Sequence, residues 1–92
     1  MTIKKRDRLS VIFDILEEIM TSNNSIRFTP LLRQSKLSTK TFSSYYAELL
    51  AKDFISENYN SEEKRFVSLT KKGYNYLNKY KTIQGFIQEF EL

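Results

Sequence analysis

A chain of 92 residues, 40% of them hydrophobic with seven Phe and six Tyr, is long enough for one packed domain and too apolar for wholesale disorder, and it leaves no room for a second domain. It contains no Cys, which excludes disulfides and thiolate metal sites, and no apolar run approaches the length needed to span a membrane. The net charge of +4, from 15 basic and 11 acidic residues, is a mild bias toward a polyanionic partner and names none.

The basic residues Lys4, Lys5, Arg6 and Arg8 open the chain, whereas acidic residues gather at Glu17–Glu18, Glu62–Glu63 and the C-terminal end. On charge alone the opening fits a solvated arm as well as one that touches a polyanion. It leads into an amphipathic segment rather than an unbroken apolar one, so the expected setting is cytoplasmic, with neither export nor membrane insertion.

From Leu9 the apolar positions Leu9, Ile12, Phe13, Leu16, Ile19 and Met20 recur at helical spacing and predict a first helix, with Val11 and Ile15 widening its stripe toward a second neighbour. Short polar side chains from Thr21 to Ser25 compete for backbone hydrogen bonds and end it. Ile26 to Phe28 reads as a short strand. Thr29-Pro30 then reads as a cap followed by a proline at the first helical position, giving a short helix from Pro30 to Ser35. Lys36-Leu37-Ser38 separates it from a third helix, capped by Ser38, that buries Phe42, Tyr46, Leu49 and Leu50. A short helix, a tight turn and a longer helix make a helix-turn-helix. Phe54 to Tyr59 and Arg65 to Leu69 are β-branched and aromatic runs around a polar turn, a hairpin to which the Ile26–Phe28 strand can add. Thr70 caps a last helix that runs to about Phe90, with Gly73 and Gly85 as tolerated interior glycines. The expected fold is mainly α with a small hairpin (α+β), in the order helix, strand, helix, helix, strand, strand, helix.

In that order the residues become familiar. Leu37-Ser38, Phe42, Tyr45, Leu49-Leu50, Lys52-Asp53-Phe54-Ile55 and Ser68-Leu69-Thr70-Lys71-Lys72-Gly73 resemble the small archaeal winged-helix DNA-binding proteins, above all those that dimerise through a long C-terminal helix. The likeness runs from Arg6 to Phe90, and its most specific pieces are the Leu69-Thr70-Lys71-Lys72-Gly73 joint and Lys79-Tyr80-Lys81 leading to Ile83, Phe86, Ile87 and Phe90. The resemblance implies a transcriptional regulator or an architectural chromatin protein on double-stranded DNA, with helix three in the major groove. It divides the chain into a winged-helix unit, 1–70, and a dimerising helix, 71–92. Where such proteins carry Gly after helix three, this chain has Asp53, which tolerates the left-handed backbone better than most residues.

The outward face of helix three carries Thr39, Lys40, Thr41, Ser43 and Ser44. These can contact phosphates or base edges, but the absence of Arg, Asn and Gln there predicts weak sequence readout. Tyr45 is expected to lean on the core. In the wing turn Lys64 and Arg65 attract phosphate while Glu62 and Glu63 repel it, and Lys71 and Lys72 stand where the start of the last helix already favours an anion. In that helix Tyr76, Tyr80, Ile83, Ile87 and Phe90 recur at coiled-coil spacing, and with Phe86 they are the expected dimer seam, Tyr74 and Leu77 packing on their own domain. Without His or Cys the usual general bases, thiol nucleophiles and nitrogen or sulfur ligands are missing, so no enzyme, cofactor, metal or small-molecule substrate is expected. A winged-helix protein-interaction module without DNA binding stays open, since Glu62, Glu63 and the hydroxyl-rich helix suit it too. An RNA partner is less favoured, because the aromatics it would stack on are needed by the core.

Overall fold

The computed structural model describes residues 7–92. The basic residues Lys4, Lys5 and Arg6, and with them any role for an N-terminal arm, lie outside the described residues. The elements are α1 (Arg8–Thr21), β1 (Ile26–Arg27), α2 (Phe28–Ser35), α3 (Thr39–Ala51), β2 (Ile55–Tyr59), β3 (Arg65–Leu69) and α4 (Lys71–Glu89). This is the order expected. Asp7, Ser38 and Thr70 each accept, through a side-chain oxygen, the backbone N–H three residues on, which caps α1, α3 and α4.

Two helix ends are closed in the same way. After α3, the N–H of Asp53 donates to the Leu50 carbonyl and that of Phe54 to the Leu49 carbonyl, with Asp53 left-handed at φ 66°. After α1, Asn23 and Asn24 are left-handed and the Asn24 N–H returns to the Ile19 carbonyl. Asn and Asp accept this backbone at lower cost than other non-glycine residues, so both chain reversals are built without glycine. Asn24 does more, since its side-chain oxygen accepts the Leu69 N–H at 2.7 Å and fastens the end of α1 to β3.

The sheet order is β1-β3-β2, antiparallel throughout, with Ile26 opposite Val67 and Ile55 opposite Leu69. Its covered face supplies Ile26, Ile55, Val67 and Leu69 to a core completed by Val11, Ile12, Ile15, Leu16 and Ile19 of α1, Leu31 of α2, Phe42, Tyr46 and Leu49 of α3, and Leu77 of α4. Two local expectations are corrected. Phe28 is the first residue of α2 rather than the end of the strand, with Arg27 in the cap position in place of Thr29. The reason is tertiary: the Phe28 ring packs edge-on against Phe42 at 5.4 Å and Tyr46 at 5.0 Å, which a strand continuing past Arg27 would not allow.

The second correction concerns Gly73. A Cβ built there would lie 2.2 Å from the Phe54 carbonyl oxygen, which itself accepts the Thr70 N–H, so the first turn of α4 can pass the end of α3 only because residue 73 has no side chain. A Cβ at Gly85 meets nothing within 4 Å. Opposite signs are expected in urea denaturation. Gly73→Ala lowers stability by about 2 kcal/mol or more through forced backbone displacement, and Gly85→Ala raises it by up to about 1 kcal/mol through helix propensity. Equal shifts of the two midpoints would contradict this packing.

Candidate nucleic-acid interface

The turn between α2 and α3 is held from inside. Buried Ser35 donates its hydroxyl to the Leu32 carbonyl at 2.6 Å and accepts the Leu37 N–H at 3.2 Å, while Lys36 takes the left-handed conformation at φ 60°. This fixes α3 relative to α2 and brings its outer face into solvent. Lys40, Ser43, Ser44 and Ala47 are exposed at spacings of three, one and three, a single strip down the helix, with Thr39 and Thr41 exposed at its start. Thr41 is partly engaged, its hydroxyl accepting from Ser38 at 3.0 Å. Tyr45 is half-buried against the core, as expected of it. Small and hydroxyl-bearing side chains leave this strip low, so another surface can approach the helix backbone closely.

No carboxylate interrupts the strip before Glu48, and that one is neutralised. The Arg8 guanidinium bonds both Glu48 oxygens and Lys52 reaches one at 2.8 Å, so Arg8 first and Lys52 second pull the Glu48 carboxyl down to about 2. Acidic character lies elsewhere. A shallow groove between α1 and α2 is lined by Asp14, Glu17, Glu18, Gln34, Ser35 and Lys36, a surface unsuited to phosphate.

The hairpin turn is tight. The Asn60 side-chain oxygen accepts from the N–H groups of Glu62 and Lys64, and Glu63 is left-handed at φ 60°. Glu62, Glu63 and Lys64 are exposed at its tip, but Arg65 is drawn inward. Its guanidinium lies over the Phe28 ring at 4.3 Å, 5.7 Å from the Tyr46 ring, and 3.3 Å from a Glu57 oxygen that also accepts the Tyr46 hydroxyl. Burial first, and the bond to Glu57 second, push the Tyr46 phenol well above its usual range. The structure thus places Lys40 and Lys64 in solvent and binds Arg65 into the protein.

Lys71 and Lys72 stand at the opposite end of α3, beside its C-terminus. Lys71 is exposed, whereas Lys72 donates to the Lys52 carbonyl at 2.8 Å and lies 4.8 Å from the Phe54 ring centre, so it helps hold the joint that Gly73 permits. Two further residues near the strip are exposed, and sequence reasoning missed both. Lys36 stands in the turn ahead of α3, a position that its place between two helices already marks. Tyr59, 61% exposed and opposite Arg65 in the register, carries no local signal.

The helix α4 changes surroundings halfway along. Tyr80 stacks on Phe13 at 4.6 Å, Tyr76 packs edge-on against Phe54 at 5.7 Å and donates its hydroxyl to the Leu9 carbonyl, and Lys81 pairs with Glu17 at 3.4 Å. The structure therefore occupies Tyr76 and Tyr80, expected in the seam, within their own chain. Leu77 is buried as expected, but Tyr74 is 49% exposed instead of packed on the domain. From residue 81 onward every residue is exposed, among them Ile83, Phe86, Ile87 and Phe90. The helix is about 28 Å long at 1.5 Å per residue, in a molecule that measures 49 Å by 27 Å by 22 Å along its principal axes.

A three-helix cluster with a helix-turn-helix and a β-hairpin beside the second of its helices defines a class of nucleic-acid-recognition folds. A family model described as winged helix-turn-helix matches residues 5–88, and the chain belongs to that family. In its terms the β2–β3 hairpin is the wing. Among solved structures the chain resembles Sso10a-2, a DNA-binding protein from Sulfolobus solfataricus, with a TM-score of 0.74 and 13% sequence identity over 94% of this chain and 86% of that one, a likeness of fold. No curated protein matches the sequence. Among the described residues no group of three or more His, Cys, Asp or Glu gathers in a way that could hold a metal ion, and no helix is long and apolar enough to cross a membrane.

Proposed function

We propose that this protein binds double-stranded DNA as a homodimer, laying α3 in the major groove and the wing along the adjacent backbone, as a non-catalytic transcriptional regulator or architectural protein of the nucleoid. The observation that carries the reading is the exposed strip of α3, in which Lys40, Ser43, Ser44 and Ala47 form a low surface free of carboxylates, with Lys64 exposed on the wing. Hydroxyls and one lysine supply phosphate contacts and few discriminating base contacts, so binding is dominated by backbone charge. Lys36 and Lys71 add cations at the two ends of α3, whereas Arg65 and Lys72 serve the protein's own joints. The neighbour of known structure is itself described as a DNA-binding protein, which agrees with this reading. The dimer rests on the bare apolar end of α4, and because Tyr76 and Tyr80 pack within the chain, the self-associating segment begins near Ile83 rather than at residue 71.

A salt titration of binding to two unrelated duplexes tests the DNA face. Lys40→Ala and Lys64→Ala are each expected to weaken both duplexes by a similar factor and to lower the magnitude of the salt slope by about 0.9, the counterion release of one phosphate contact. Ser43→Ala is expected to alter preference between the duplexes and leave the slope unchanged. If both lysine variants match wild type, the DNA face lies elsewhere. The reading as a protein-interaction module, which exposed Glu62 and Glu63 at the wing tip favour, then moves ahead.

A further inference from the structure

We propose that Arg65 is a positioning residue that locks the wing to α3, so that the two meet DNA as one rigid surface, rather than a phosphate ligand on the wing. Three elements besides its own strand meet its guanidinium: α2, α3 and β2. Its central carbon lies over the ring of Phe28, the first residue of α2, 4.3 Å from the ring centre. Phe28 in turn packs on Phe42 and Tyr46 of α3. On the other side Glu57 of β2 pairs with Arg65 at 3.3 Å and accepts the Tyr46 hydroxyl, so one carboxylate joins the wing to both its own return strand and α3.

The register makes this a lock on angle. Arg65 and Glu57 stand on the same face of the hairpin as buried Val67 and Ile55, each two residues farther out along its own strand, where the hairpin leaves the core. Beyond them only Tyr59 and the exposed turn remain. A hairpin held by its core end alone swings, and the contacts at Arg65 are the last that oppose swinging before the tip. A phosphate offered to Arg65 must compete with a carboxylate already in place and with the aromatic face, so the charge has little left to give. Lysine cannot substitute here, because the planar guanidinium stacks and bonds in one orientation while an ammonium is a point charge.

The proposal rests on the DNA-binding reading for its consequence and on the free protein for its geometry, and the experiment separates the two. Arg65→Lys keeps the charge and loses the planar contacts, and Arg65→Ala loses both. Amide hydrogen exchange of the free proteins is compared with salt titrations on one duplex. The expected result is that both variants exchange faster at residues 56–59 and 65–67 while α1 amides are unchanged, and that both bind roughly tenfold more weakly with the salt slope of wild type. Arg65→Lys that binds like wild type, with Arg65→Ala lowering the slope by about 0.9 and wing exchange unaltered, overturns the proposal in favour of an ordinary phosphate contact. Exchange that quickens uniformly through the whole domain also overturns it, since Arg65 then serves stability alone. If no protein, wild type included, binds duplex while the wing amides of both variants quicken, the lock stands and the DNA reading falls.

Discussion

Phe42→Ala is expected to remove most of the stability of the domain. Phe42 is fully buried, and its ring meets Phe28 edge-on at 5.4 Å and lies 5.8 Å from Tyr46, so it sits where α2, α3 and the wing joint come together. Truncating a buried phenylalanine costs about 3–5 kcal/mol, the lost transfer energy together with the cavity left behind. Domains of this size hold a margin of only about 5–15 kcal/mol. In a domain this small each kcal/mol moves the melting temperature by about 4–8 °C, so a fall of more than about 12 °C is expected. Ser43→Ala, one residue on and exposed, is expected to stay within about 0.5 kcal/mol. Thermal unfolding at one fixed protein concentration compares the two, because association makes the midpoint depend on concentration. A Phe42→Ala melting temperature equal to that of Ser43→Ala would mean that the face of α3 assigned to the core is the wrong one.

That contrast between adjacent residues is legible in the amino-acid sequence alone, and the reason is physical. The face that α3 buries is written in the three-and-four spacing of Phe42, Tyr46 and Leu49, and the capping of Ser38 and Thr70 depends on local chemistry that a sequence displays. Even the departure at Asp53 is readable, because a left-handed residue after a helix is least costly as Gly, Asn or Asp. What escapes the sequence depends on contacts between residues far apart in the chain. Nothing near Gly73 announces that the carbonyl of Phe54 lies against it. Phe28 suits a strand on local grounds, and its place in α2 follows from rings fourteen and eighteen residues away.

The candidate site divides in the same way. Exposure of Lys40, Ser43 and Ser44 follows from which face α3 buries, so periodicity is enough to find them. Arg65 and Lys72 look like equivalent surface cations, and charge counting has no means of seeing Glu57, Phe28 or the Lys52 carbonyl take them up. The apolar stripe of α4 shows the limit most clearly. Spacing identifies one apolar stripe through Tyr76, Tyr80, Ile83, Ile87 and Phe90, but not which partner covers each part of it. That is decided by where Phe13 and Phe54 stand, and both lie within reach of the first two residues only.

The remaining part of that stripe leads to the second large effect. Ile83, Phe86, Ile87 and Phe90 are 41–56% exposed on two successive turns, a contiguous apolar surface of the kind that marks an association site. Ile83→Asp/Ile87→Asp is expected to convert a dimer into a monomer at micromolar concentration. Two such side chains from each protomer, at about 1.5–3 kcal/mol apiece when buried, are together comparable to the roughly 8 kcal/mol that holds a micromolar complex, and burying an added carboxylate in an apolar contact costs further. Asn78→Asp/Gln88→Glu changes the charge by the same amount off the stripe and is expected to leave the dimer intact. Sedimentation equilibrium over a concentration series reads all three proteins. A wild-type chain that sediments as a monomer at micromolar concentration removes the dimer. If wild type is dimeric and the Ile83→Asp/Ile87→Asp protein is too, the chains meet through another surface. The expected outcome carries a consequence for DNA. A monomeric Ile83→Asp/Ile87→Asp protein keeps Lys40 and Lys64, so the salt slope per protomer is retained. The preference for two half-sites about one helical turn apart, or a multiple of it, is lost.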